Sequence, residues 1–187
     1  VGSGYAKTIV TMAIGLWMVP FSLKFLSVAE YGLFAIASDL LLWLGLLQLG
    51  TGAALSSRAA QMLGARDVEG LGELTSTAFV LQLTAALLVL VVGGVISLNI
   101  DQIFTDDAGA ASWSSVFFVM VIGSALQISA QVFSGLLIAN KRIHVDNLLG
   151  IAIALLQAGI TASLLVLGLK LMALALASVV STAVLSF

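Results

Sequence analysis

Asp39 is the side chain in this sequence best placed to do chemistry, because it sits well inside a long apolar run over residues 29–57. A carboxylate in hydrocarbon costs several kcal/mol unless it is paired, hydrated or protonated. A carboxyl group in that position suits the binding of a coupling cation or proton. At 100° per residue, Gly32, Ala35, Trp43, Gly50, Ala53 and Ser57 share its helix face, whereas Gln48 points the other way near Gly45 and Gly52. Further polar stripes follow. Thr75, Gln82, Ala86 and Gly93 align in one segment. Ser124, Gln127, Gln131 and Ser134 align in the next, continued by Trp113, Phe117 and Met120, and Asn147, Gly150, Ala154, Gln157 and Thr161 align in a third. Small and amide residues can simply glue helices together. Four stripes in consecutive segments point instead to a shared hydrated interior. Amides offer donors and acceptors without fixed charge, which suits sugar hydroxyls or a polar headgroup better than a bare ion.

The remaining chemistry-bearing residues exclude several classes. No nucleophile–base pair, metal-ligand cluster, phosphate-cradling glycine loop or pair of carboxylates at helical spacing is visible, and there is no cysteine. His144 is alone beside Lys141 and Arg142. The sequence therefore reads as a non-enzyme without metal or organic cofactor, and H+ or Na+ is the only coupling species it suggests. No basic tail or arm suits nucleic acid.

The elements that position these residues follow from composition. Hydrophobic residues make up 61% of the chain and charged residues 9%. A soluble domain is about half apolar and about a quarter charged, so lipid is the expected solvent and partner. Since a span needs about 20 mostly apolar residues, the fold class is an all-α transmembrane bundle of about six spans. They cover roughly residues 5–26, 29–57, 74–98, 113–139, 146–168 and 171–187. Val1 is not an initiator methionine, and the chain stops in an apolar run. It reads as one transmembrane bundle, a fragment of a longer protein.

Boundary signals are local. Ser27-Val28-Ala29-Glu30 reads as a capping box, which makes the first hairpin tight. Gly64, Gly70 and Gly72 with Arg66, Asp67, Glu69 and Glu73 read as a hydrated loop, as do Asp101, Asp106, Asp107 and Gly109. Pro20 should kink the first span. With the N-terminus inside, Lys7, Arg58, Arg66, Lys141 and Arg142 lie on the inner side and Lys24 and Lys170 on the outer, so a cytoplasmic N-terminus is expected. Lys24, Arg58, Lys141 and Arg142 are the candidates for contact with lipid headgroups or phosphate. Asp39, Gln82, Ser124, Gln127, Gln131, Asn147 and Gln157 are the candidates for a substrate cavity, with Asp39 also the ion-coupling candidate.

The passage Pro20…Ala29-Glu30-Tyr31-Gly32-Leu33-Phe34 resembles the first hairpin of polysaccharide exporters and oligosaccharide flippases. These belong to the multidrug/oligosaccharidyl-lipid/polysaccharide exporter superfamily. Leu49-Gly50-Thr51-Gly52-Ala53-Ala54-Leu55 resembles the family's Leu-Gly-x-Gly-x-Ala-Leu ending, and Ser76-Thr77-Ala78 its third-span start. Ser134-Gly135-Leu136-Leu137-Ile138-Ala139-Asn140-Lys141-Arg142 resembles its fourth-span end and basic loop. The chain departs from the pattern at Leu26-Ser27-Val28, where members carry leucine-glycine-proline, and it lacks the basic residues some members place in the central cavity. The resemblance spans the whole chain. It implies the N-terminal half of a two-bundle protein in a prokaryotic inner membrane, which moves glycans linked to a polyprenyl diphosphate by alternating access. A multidrug-extrusion-type cation antiporter of the same superfamily and a non-transporting membrane scaffold are the alternatives.

Overall fold

The computed structural model describes residues 2–45, 51–103 and 113–185, and helices account for nearly all of them. In chain order these are α1 (Gly2–Ser22), α2 (Val28–Gly45), α3 (Thr51–Ala65), α4 (Val68–Ile103), α5 (Trp113–Ala139), α6 (Ile143–Val166) and α7 (Lys170–Leu185). The all-α fold class expected from composition is the one observed, and no strand occurs among the described residues.

The turns follow from side chains that cap helix ends. The Ser27 Oγ accepts from the Glu30 amide at 3.1 Å, and Glu30 Oε2 accepts from the Ser27 amide at 2.7 Å. This is the reciprocal capping box read from the sequence. Between α3 and α4 the polar stretch is far shorter than a hydrated loop. Only Arg66 and Asp67 leave the helices, because Asp67 Oδ1 accepts the Gly70 amide at 2.9 Å and starts α4 at Val68. Arg66 takes a left-handed backbone, φ 58°, to make the reversal. Gly64, Gly70, Gly72, Glu69 and Glu73 are therefore helical. The apolar run at 29–57 is divided between α2 and α3, with residues 46–50, Gln48 and Gly50 included, outside the described residues. Asp106, Asp107 and Gly109 also lie outside them. Pro20 falls in the last turn of α1, which runs on to Ser22.

Among the described residues four helices are long and apolar enough to cross a membrane: Val28–Gly45, Val68–Asn99, Trp113–Ala139 and Ile143–Val166. The sequence suggested about six. α1 has the length at 21 residues, but Tyr5, Lys7, Thr8, Thr11 and Pro20 dilute its hydropathy. α7 has 16 described residues, about 24 Å at 1.5 Å per residue, against a hydrocarbon core of about 30 Å. α4 is the opposite case. Its 36 residues extend about 54 Å and must overrun the core or tilt.

α5 is the axis of the bundle, and α2, α3, α4, α6 and α7 all pack on it. Its Phe117, Val121, Ala125, Ile128 and Val132 recur at helical spacing and are buried. Ala86 and Val89 of α4, Leu165 of α6, and Leu171, Ala173, Leu174 and Ala175 of α7 join the same core. Phe117 and Met120 are thus core residues, while Trp113 packs half-buried on the core's edge. α1 is peripheral and rests mainly on α6. Outside the core the helices remain apolar: Leu16, Leu42, Leu98 and Leu148 are mostly exposed. Water would penalise that surface, whereas lipid does not.

Candidate functional site

The α6 stripe identified by spacing faces α1. At one end, the Asn147 amide donates to Ser3 Oγ at 3.1 Å. One turn further, Gly150 leaves room for the Lys7 side chain: a Cβ on Gly150 would stand 2.5 Å from Lys7 Cε. Lys7 Nζ then lies 3.8 Å from Asp146 Oδ2, and Ser134 Oγ donates to Asp146 Oδ1 at 2.5 Å. This knot ties α1, α5 and α6 together. Beyond Gly150 residues of both helices turn toward an open space.

That space is a cleft of about 270 Å³. Thr11, Met18 and Ser22 of α1 line it, with Tyr31 and Phe34 of α2, Gln157 and Thr161 of α6, and Leu174 of α7. No charged side chain lines it. Thr11 and Thr161 donate to their own helices, to Lys7 O at 2.8 Å and Gln157 O at 2.7 Å, and show their methyl groups and remaining lone pairs to the space. Ser22 is different. It is 0% exposed, and its hydroxyl has no hydrogen-bond partner among the described residues. An unsatisfied buried hydroxyl costs about 1–3 kcal/mol, so Ser22 keeps an uncompensated polar group in the wall of the cleft, closed to water in this conformation. The cleft can therefore accept and donate hydrogen bonds to a neutral polar group resting against aromatic and thioether surface.

At the far end of the cleft Glu30 Oε1 lies 3.8 Å from Lys170 Nζ and connects α2 to α7. Lys170 and Gly168 both take left-handed backbones, φ 43° and 83°, in the α6–α7 turn.

The other residues singled out from the sequence are dispersed. Gln82 is buried in the bundle at 2% exposure and does not line the cleft. Ser124 is half-buried and donates to Val121 O of its own helix at 2.8 Å. Gln127 and Gln131 are exposed on α5. Asp39 is exposed on α2 beside Ala35, Ile36, Leu42 and Trp43, and no ion pair to it exists among the described residues. Lys24, Lys141, Arg142 and His144 are exposed near helix ends or turns, and Arg58 is exposed in the middle of α3. No group of three His, Asp or Glu side chains suited to a metal occurs among the described residues.

Ser22, Tyr31, Phe34 and Thr11 escaped the sequence reading, as did the Lys7–Asp146 pair. Ser3, Lys7, Thr11, Met18 and Ser22 do fall on one face of α1 at 100° per residue, a signal the stripes in the other segments overshadowed, and Tyr31 and Phe34 stood out only as part of the hairpin resemblance. Asp146 had a signal: it directly precedes the Asn147 stripe, and Lys7 is the one base in the N-terminal half of the first span.

The apolar helices and the uncharged polar cleft define an α-helical integral membrane protein. The chain matches the MatE family model over residues 5–161. It belongs to that family, within the multidrug/oligosaccharidyl-lipid/polysaccharide exporter superfamily, and is a membrane transporter of that type. No curated protein and no solved structure matches it.

Proposed function

We propose that this protein moves a lipid-linked oligosaccharide or polysaccharide precursor, carried on a polyprenyl diphosphate, across a prokaryotic inner membrane by alternating access. The observation that carries this reading is the chemistry of the cleft: Gln157, Thr161, Thr11 and the unpartnered Ser22 hydroxyl, with no charge among the lining residues. A sugar offers hydroxyls to such groups and apolar ring faces to Tyr31 and Phe34. The volume, about 270 Å³, is just under the usual range of small-molecule sites, about 300–1,000 Å³. It would take a sugar or two of a longer glycan, not the whole chain. The N-terminus is cytoplasmic in this reading, the partner bundle is a C-terminal set of helices, and Lys24, Arg58, Lys141 and Arg142 meet headgroup or carrier phosphates.

One observation favours a second reading. Asp39 is exposed on α2, the helix that also supplies Tyr31 and Phe34. A carboxylate one turn from an exposed aromatic, here Trp43, suits an organic cation exchanged for H+ or Na+. The experiment is reconstitution of the intact transporter in proteoliposomes. Flipping of a fluorescent polyprenyl-diphosphate oligosaccharide, unaffected by a cationic dye, is the expected result. Dye efflux driven by an ion gradient, without glycan flipping, would establish the antiporter instead.

A further inference from the structure

The four helices that line the cleft are α1, α2, α6 and α7, and two ion pairs join the same four. Lys7–Asp146 joins α1 to α6, and Glu30–Lys170 joins α2 to α7, both at 3.8 Å. Each pair sits at one end of the cleft. Thr11, one turn after Lys7, and Ala154, two turns after Asp146, are lining residues. So are Tyr31, next to Glu30, and Leu174, one turn after Lys170.

Both pairs are built alike. In each, a serine donor, local for Glu30 and on the neighbouring α5 for Asp146, holds one carboxylate oxygen and the other reaches across to a lysine. Ser27 N holds Glu30 Oε2 at 2.7 Å, and Ser134 Oγ holds Asp146 Oδ1 at 2.5 Å. The acid is therefore fixed and the lysine is the movable half. The acid side chains are 13% and 17% exposed, the lysines 64% and 37%. Beyond these ties α1 is peripheral and α2 touches α7 sparsely. Lys170 also keeps a left-handed backbone that residues other than glycine seldom adopt. Ion pairs with one solvated partner are weak, which suits a contact that opens and closes more than one that cements a fold.

We propose that the two ion pairs are clasps at opposite ends of the cleft, and that release of Glu30–Lys170 opens the cleft at that end while Lys7–Asp146 keeps the other end shut. The functional meaning of the clasps rests on the cleft being the transport site; the clasps themselves do not.

These 187 residues contain no cysteine, so the reporter background needs only the replacement by serine of any cysteine elsewhere in the full-length protein. Single reporters, Thr161→Cys and separately Ser22→Cys, are placed in the full-length protein in membrane vesicles. A membrane-impermeant thiol reagent is added from the Glu30 side. Lys170→Gln and Glu30→Gln should each speed labelling roughly two- to fivefold, the factor an ion pair of this exposure supplies. Lys170→Arg should label at the parental rate, and Lys7→Gln should speed labelling only from the opposite side. Equal rates in Lys170→Gln and parent with both reporters, including no labelling of either, overturn the proposal. Because no substrate is present, failure of the clasps is read separately from failure of the glycan reading.

Discussion

Gly93 of α4 lies against Val121 of α5, and replacing it with alanine tests the core contact on which the bundle depends. A Cβ at Gly93 would stand 2.7 Å from both Val121 methyl carbons and 3.3 Å from Val121 Cβ. Carbon contacts are optimal at about 3.5–4.0 Å, so the new methyl group is about 1 Å too close to two atoms. Val121 is 0% exposed, and a β-branched side chain in a helix has one strongly preferred rotamer. Relief then requires α4 to move off α5. Overpacking of this kind costs about 1–3 kcal/mol, and two methyl contacts place it toward the upper end. Alanine returns about 1 kcal/mol of helix propensity over glycine. The net destabilisation is about 1–2 kcal/mol. Val121→Ala removes both offending carbons, so the double variant should recover most of the clash, with a coupling of about 1–2 kcal/mol. The assay is reversible unfolding of the purified full-length protein in mixed detergent micelles. A Gly93→Ala protein that gains about 1 kcal/mol, the bare propensity term, and shows no coupling to Val121→Ala would refute this close approach.

Gly150→Ala should push Lys7 off Asp146 without removing either charge, since the new Cβ would sit 2.7 Å from Lys7 Nζ; the half-exposed pair is worth at most about 1 kcal/mol, so thermal stability should change little while thiol labelling of a cysteine at Thr11 rises. Asp39→Asn keeps size and hydrogen bonding but cannot titrate; expression should be normal and the pH dependence of transport lost, and an unchanged pH profile would remove Asp39 from ion coupling. For topology, Arg66→Cys should be labelled only from the cytoplasmic side and Lys24→Cys only from outside in intact cells, and the reverse pattern would overturn the orientation.

Fold class was legible because hydropathy and turn chemistry are local. Ser27 and Glu30 announce their capping box by spacing alone. The Asp67 cap was present in the sequence too, but glycines and charges around it suggested a loop, and an N-cap needs only one carboxylate to turn that stretch helical. The α6 stripe was legible as a face, since Asn147, Gly150, Gln157 and Thr161 all turn toward α1. Its partner was not. Lys7, Thr11 and Ser22 become site residues only because α1 crosses that stripe, and Lys170 meets Glu30 across 140 positions of chain. Such pairings are set by packing, which no short window of sequence contains. Gln82 shows the converse, because a buried amide at a helix contact and an amide in a cleft look the same when read by periodicity.

The central claim is that the uncharged cleft between α1, α2, α6 and α7 receives a neutral sugar, and protection of one position tests it most directly. With Gln157→Cys in the full-length protein, thiol labelling is followed as polyprenyl-diphosphate oligosaccharide is titrated in, with the polyprenyl diphosphate alone and a cationic dye as controls. Saturable slowing by the glycan-bearing lipid, and not by the carrier alone or the dye, is the predicted result. Protection by the dye alone, or equal protection by the sugar-free carrier, would contradict it.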